Sequence, residues 1–385
     1  MNKVLLALAI SPDKIGGMEA FAAEIGRQLR ARGDWRLIVC FEKQPPAPVR
    51  DFILRPGNVT LDVLPDQAGM GLNSIRRFWR MLWKHRPSVV LYSLGGAVRW
   101  WPMIARLAGV RRIVYYDQTS RLSTQGYRAR AHVRLLLAPL SKSVCATKFV
   151  KACSDREGIV PPEKSLVLYS AVDCTRRHGA ALGFKQRYGI PDDRLVVLQV
   201  SWLVPVKGID VALRAAEKTI SSRKDIHFVF CGDGAGREQY QQMALDMGIS
   251  DHVTWAGQLE DLPASGAFSA ANIQIQCSQW HEAFCLAVAE GMHAGLPIIA
   301  SRIGGLPELV SDGVNGFLFD PHDHAALAKL ILRLCSDSDL RIRMGQEGRE
   351  RAFRDYNLVD NVNTWIDLLL GVPTHLREPQ HSGPI

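Results

Sequence analysis

Short apolar runs rich in Val, Ile and Leu alternate along the whole chain with longer stretches whose apolar positions recur at helical spacing. Runs near 3–10, 35–41, 58–64, 88–93, 111–117, 143–147 and 165–170 predict strands in the first half. A second series follows near 195–201, 226–231, 253–256, 273–277 and 297–301. Strands alternating with amphipathic helices signal parallel sheets covered by helices on both faces, an α/β doubly wound architecture. No repeat or low-complexity block interrupts the pattern. The segment 173–191, with Arg176, Arg177 and His178 followed by Gly-Ile-Pro-Asp, reads as a linker. It separates a first domain of residues 1–180 from a second of 190–352. A last helix, about 358–370 within the stretch 355–370, precedes a tail from 372 to 385 that reads as disordered.

At 385 residues and 47% hydrophobic content, two ordinary α/β cores fit better than one. The opening run Val4 to Ile10 imitates a secretory leader but is short, lacks a small-residue cleavage site and leads into a glycine turn, so it reads as the first strand. No apolar run approaches the roughly 20 residues that span a bilayer. Eight Cys are scattered without C-x-x-C or Cys/His ligand spacing, which implies a reduced, cytoplasmic protein with no structural metal.

Charge divides the chain. Residues 1–187 hold 31 Lys and Arg against 13 Asp and Glu, whereas residues 188–385 hold 16 against 25. Between Asp66 and Asp155 the only acid is Asp117, among 16 basic residues. So positive a first half implies an anionic partner: acidic phospholipid, a lipid-diphosphate acceptor or, with less support, nucleic acid. Within it, Leu72, Ile75, Trp79 and Leu82 fall on one helical stripe with Arg76, Arg77, Arg80 and Lys84 mostly elsewhere, a pattern that suits a membrane surface as well as packing on the first sheet.

The densest chemistry lies between Cys277 and Val310. Two carboxylates, Glu282 and Glu290, flank an almost wholly apolar predicted helix start. Helical rise would set them about 12 Å apart, roughly the length of a sugar nucleotide. Unpaired N–H groups at Ala283, Phe284, Cys285 and Leu286 would face a diphosphate between them.

In this region the chain resembles the retaining GT-B glycosyltransferases of family GT4. The resemblance rests on Glu282 and Glu290 separated by seven residues, on Gly295-Leu296-Pro297, on Gly304-Gly305-Leu306-Pro307-Glu308 and on Gly313-Val314-Asn315-Gly316-Phe317. Upstream, Leu203 to Gly208 and Gly16-Gly17-Met18-Glu19 extend it over nearly the whole chain. It implies two Rossmann-like domains facing across a cleft, with the last helix crossing back to the first domain. It also implies a nucleotide-sugar donor, UDP- or GDP-linked, with no further cofactor.

In such a site Glu290 would bind the donor ribose hydroxyls and Glu282 would lie near the transferred sugar or its phosphate. Amides of Phe284, Cys285 and Leu286 would hold the sugar. Lys207, in the first turn of a helix predicted over 207–222, would stabilise charge on the departing diphosphate. The chain departs from the family at Trp202, where an Arg is common, and at Cys285, where a Gly is common; the thiol either narrows donor choice or is a small buried hydrophobe. Asp117 stands where many relatives carry His. It is either an acceptor-orienting group or one half of a salt bridge to Arg121 or Arg112. Gly16 and Gly17 either admit a phosphate or acceptor or make a plain strand-to-helix turn. The run Gly232-Asp233-Gly234-Ala235-Gly236 imitates a dinucleotide fingerprint but is off register for it.

These readings combine into a metal-independent, retaining hexosyltransferase, cytoplasmic and peripheral on the inner face of the plasma membrane. Its acceptor would be lipid-linked or a glycan in cell-surface polysaccharide assembly, with no nucleic acid partner. The alternatives are a synthase acting on a small soluble acceptor, or a non-catalytic sugar-nucleotide binder.

Overall fold

The computed structural model describes residues 2–65, 72–93, 100–119, 134–158 and 160–373. The chain forms two compact units, Met1–Ala171 joined by the helix Leu358–Leu370, and Val172–Asn357.

The first unit holds seven parallel strands: β1 (Asn2–Leu8), β2 (Trp35–Phe41), β3 (Val59–Val63), β4 (Val89–Ser93), β5 (Arg112–Asp117), β6 (Lys142–Cys145) and β7 (Ser165–Val167). Their order is β3-β2-β1-β4-β5-β6-β7. Central strands such as Val89–Ser93 are buried at every position, because helices cover both faces. The second unit holds β8 (Leu195–Val200), β9 (Ile226–Cys231), β10 (Val253–Gly257), β11 (Ile273–Gln276), β12 (Ile298–Ser301) and β13 (Gly316–Phe319). Its order, β10-β9-β8-β11-β12-β13, is the doubly wound order in which the winding reverses between the first and fourth strands. Here that reversal falls between β8 and β11. The fold is GT-B, with two Rossmann-like domains.

Residues 173–191 are not a free linker. The helix Ala181–Tyr188 belongs to the second unit, where Phe184 is fully buried and Gly179 donates its N–H to Pro263 O (2.9 Å). The change of unit therefore falls at 171/172 rather than between 180 and 190. The tail 374–385 lies outside the described residues.

In the helix Leu72–His85 the buried stripe differs from the expected one. Ser74, Phe78, Met81 and Leu82 face inward, with Phe78 stacked on Trp101 at 4.1 Å between ring centroids, while Leu72 and Trp79 stay exposed. Phe78 and Met81 offer a contiguous apolar surface one residue out of phase with Leu72 and Trp79, and packing follows that surface.

The helix Leu358–Leu370 is fastened to the first sheet by Trp365, wholly buried against Phe21 (5.5 Å) and Tyr116 (4.8 Å). Asn361 donates to Tyr169 O (2.7 Å), and Arg112 donates to Leu368 O (2.6 Å). Trp365→Ala should destabilise the first unit by about 3–5 kcal/mol. A thermal melt would show this as a lowered midpoint, with the exposed Val372→Ala unchanged as control.

Candidate functional site

Lys207 and Glu282 are brought together at the winding reversal of the second sheet. Beyond β8 the chain runs through Ser201, Trp202 and Leu203 into a 3-10 turn, Pro205–Lys207, and Gly208 then opens the helix Ile209–Ser222. Lys207 thus precedes the helix instead of lying in its first turn. Gly208 has φ +65°, and a Cβ there would come within 1.9 Å of Cys277 O, so only glycine lets this turn lie against the end of β11. Gln279 N–H donates to Val206 O (2.8 Å), and Gln199 Nε2 on β8 donates to Lys207 O (3.0 Å). The turn is clamped from both strands.

Lys207 Nζ lies 2.6 Å from Glu282 Oε1. The same oxygen accepts from Ser278 Oγ (2.5 Å), which in turn accepts from Gln276 Nε2 on β11 (2.8 Å). Ser301 Oγ at the end of β12 donates to Ser278 O (2.6 Å). Glu282's backbone is gripped as tightly: Gly305 N–H donates to its carbonyl (2.7 Å), and a Cβ on Gly304, at φ +61°, would fall 2.5 Å from that oxygen.

Pinned in this way, Glu282 stands outside the helix. The helix is Leu286–His293, with Cys285 as its N-cap in extended backbone, so Ala283 to Cys285 form a loop. The expected helix start at Ala283, and the 12 Å separation derived from helical rise, therefore do not apply to this pair. Leu286 does open the helix, and its N–H and that of Ala287 take no intrahelical bond. Phe284 turns its ring into the core, edge-on to Tyr356 at 5.3 Å. Burial pushes the Cys285 thiol up to about 12, with Glu282 and then Glu290 adding to the shift and Lys207 opposing it. Such a thiol stays protonated near neutrality and is no nucleophile. Glu290 is partly exposed on the same helix, one turn beyond Leu286.

The glycine run after β9 has a packing explanation. Cβ atoms on Gly232 and Gly234 would fall 2.0 Å from Ser201 O and 2.7 Å from Leu203 O, so this loop supports the segment carrying Trp202. Trp202 itself is 61% exposed. The supporting polar residues Gln199, Gln276, Ser278 and Ser301 escaped the sequence reading; the available signal was polar residues within apolar strands, as in Ile273-Gln274-Ile275-Gln276.

On the first unit, Gly16 N-caps the helix Gly17–Ala31, and its N–H is taken by Glu19 Oε2 (3.0 Å). With φ −115°, Gly16 is not in the left-handed region. Asp117 ends β5 at 2% exposure, accepting from the N–H and Oγ1 of Thr119 on Oδ1 (2.9 and 3.0 Å). It does not pair with Arg112, which turns to Leu368 O at the other end of the helix contact, and Arg121 lies outside the described residues. Burial raises the Asp117 carboxyl from 3.8 to about 6 against the opposing Thr119 bonds.

Among the described residues no group of three His, Cys, Asp or Glu is placed to hold a metal, and no helix is long and apolar enough to cross a membrane.

Two family models match, Glycosyl transferases group 1 over residues 183–351 and Glycosyltransferase Family 4 over residues 15–176. A D-inositol 3-phosphate glycosyltransferase of Streptomyces scabiei is 31% identical over 370 residues, 86% of this chain and 81% of that protein. The chain is therefore a member of glycosyltransferase family 4. The protein of the same description from Corynebacterium efficiens is 30% identical over 206 residues, 51% of this chain and 47% of its own; the match spans about half the length of several such relatives. Among solved structures, Anabaena HepE in complex with UDP superposes with a TM-score of 0.79 at 19% identity, covering 97% of this chain and all of that one. A sucrose-phosphate synthase from Thermosynechococcus elongatus gives 0.78 at 18%, covering 96% of this chain and 99% of that one. At these identities the superpositions establish the fold.

Because the carboxyl of Asp117 titrates higher in the folded protein than unfolded, the folded state holds more protons between about pH 4 and 6. Its contribution to stability is present below that window and is lost as pH rises through it, by up to about 3 kcal/mol. Asp117→Asn, which keeps an acceptor for Thr119, should flatten this slope and raise the melting midpoint at pH 7. Melts across pH 4 to 8 would show no difference between the two proteins if the group titrates normally.

Proposed function

We propose that this chain transfers a hexose, with retention and without a metal, from a UDP- or GDP-sugar to a small phosphorylated, soluble acceptor. The observation that carries the donor half is the Lys207–Glu282 pair at the sheet's reversal, beside the open first turn of Leu286–His293. Open α/β sheets bind ligands outside the carboxyl ends of their strands at such a point.

In the resting state Glu282 holds the ammonium of Lys207 in place. An arriving diphosphate would share that cation and meet the N–H groups of Leu286 and Ala287, so positive potential stands fixed where charge accumulates as the anomeric bond loosens. Glu290 would take the ribose hydroxyls. The acceptor hydroxyl then attacks from the leaving-group face, and the departing phosphate oxygen takes its proton. A strong enzymatic base is not required by this route. HepE, solved with UDP and with UDP-glucose, supports uridine as the base. Acceptor size is supported by relatives named for inositol 3-phosphate. A second reading, a lipid-linked acceptor, is favoured by the exposed aromatic and basic residues of Leu72–His85.

Thermal-shift measurements with UDP- and GDP-sugars test the donor site, and radiolabelled transfer to inositol 3-phosphate or to a lipid-linked sugar separates the acceptors. Lys207→Ala should lower transfer by roughly 10²–10³-fold, as removal of one charge-stabilising donor does elsewhere. A wild-type melt unmoved by any of these nucleotides, or full activity in Lys207→Ala, would refute the assignment.

A further inference from the structure

The helix Leu72–His85 has an outward arc with two different edges. At about 100° per residue, Leu72, Trp79 and Trp83 share one edge, 75%, 39% and 62% exposed, and Arg76, Arg80, Lys84 and Arg77 follow round the arc in that order. The guanidinium of Arg86 lies 5.3 Å over the Trp83 ring and bounds the aromatic edge on its far side. Three large apolar side chains held in water beside a row of cations form a surface for the interfacial layer of a bilayer, where indoles settle at headgroup depth.

The basic edge opens into a pocket of about 180 Å³ at the end of β3, lined by Asp62, Leu64, Arg77, Arg80, Met81 and Lys84. Asp62, the one carboxylate among its described lining residues, is already engaged. Asp62 receives Lys84 Nζ at 2.6 Å and His85 Nε2 at 2.7 Å, and these contacts outweigh burial to hold it below the usual carboxylate range. Arg77 and Arg80 have no ion-pair partner among the described residues. The pocket is several times the roughly 30 Å³ share of one water, offers two uncommitted guanidiniums and suits a phosphate ester.

We propose that this pocket receives the phosphate headgroup of an anionic phospholipid while Leu72, Trp79 and Trp83 enter the interface beside it. The proposal gives the membrane-surface reading a specific seat, and it holds whether the acceptor is soluble or lipid-linked, because it concerns where the protein stands and not what it glycosylates. Charge complementarity selects the occupant: the half of the chain carrying this helix has 31 basic residues against 13 acidic, and a leaflet rich in anionic lipid is its counterpart.

Co-sedimentation of the full chain with phosphatidylcholine vesicles, with and without phosphatidylglycerol, tests it. The wild type should pellet only with phosphatidylglycerol and should be released by salt. Arg77→Gln with Arg80→Gln should weaken binding about 30-fold. Trp79→Ala with Trp83→Ala should weaken it further while removing a blue shift of tryptophan emission seen on binding. Equal binding to neutral vesicles, or unchanged binding in the doubly substituted arginine variant, would overturn the proposal. Competition by glycerol 3-phosphate at unchanged ionic strength should release the vesicles; glycerol 3-phosphate that binds through Arg77 and Arg80 yet leaves vesicle binding unchanged would assign the pocket to a soluble phosphate and overturn the proposal. An unaltered melting midpoint in each variant excludes misfolding as the cause of any loss.

Discussion

The approach of one turn to the end of one strand determines what the second unit can do. Gly208 lies so close to Cys277 O that any side chain would collide, and this contact sets Lys207 over the segment that carries Glu282. Everything that follows serves to keep the two there. Gln199 holds the lysine's carbonyl, Ser278 holds the glutamate's carboxylate, Gly304 and Gly305 fix the glutamate's backbone, and the glycines after β9 back up the chain just before Trp202. The glycines of this unit that read as ligand-binding motifs act here first as spacers between backbones. Their function is indirect: they allow the ends of β8, β11 and β12 to deliver side chains to one point.

An ion pair in this position has a double character. Exposed pairs contribute little to stability, and partly buried ones must offset desolvation. Lys207–Glu282 is supported by a chain of hydrogen bonds, Gln276 to Ser278 to Glu282, which leaves the lysine oriented rather than merely neutralised. A pre-oriented cation costs no reorganisation when charge develops against it, which is the condition for electrostatic stabilisation of a leaving group.

The strands were legible because buried parallel strands need continuous β-branched runs, and thirteen residues from Leu195 to Lys207 contain both β8 and the turn that ends in the site. What escaped was set by contacts between distant segments. β13, Gly316–Phe319, is four residues bounded by glycine and was read only as part of a loop motif. The pattern sets the helix start too early because Phe284 is apolar like the residues after it; its ring in fact packs on Tyr356, seventy-two positions away in the chain, and the loop is held by Gly304 and Gly305. For the same reason local periodicity does not give the phase of Leu72–His85: Phe78 follows Trp101, a distant partner. Glu282 and Lys207 stand out in the sequence as candidates by motif and spacing, whereas their 2.6 Å contact does not, since it depends on strand order.

The polar groups around these sites are also where the protein forgoes stability. Gln199 and Gln276 use their amide N–H groups to hold Lys207 O and Ser278, but the carbonyl oxygen of each is buried without a partner. A buried orphan acceptor costs about 1–3 kcal/mol, and Asp117 in the first unit adds a desolvated carboxyl. An apolar residue at any of these positions would pack at lower cost, as the neighbours Val197, Leu198 and Ile275 do on the same strands. Polar residues retained against that gradient, at strand ends and in both units, are the departures from core logic expected where a scaffold is shaped for chemistry rather than for its own stability.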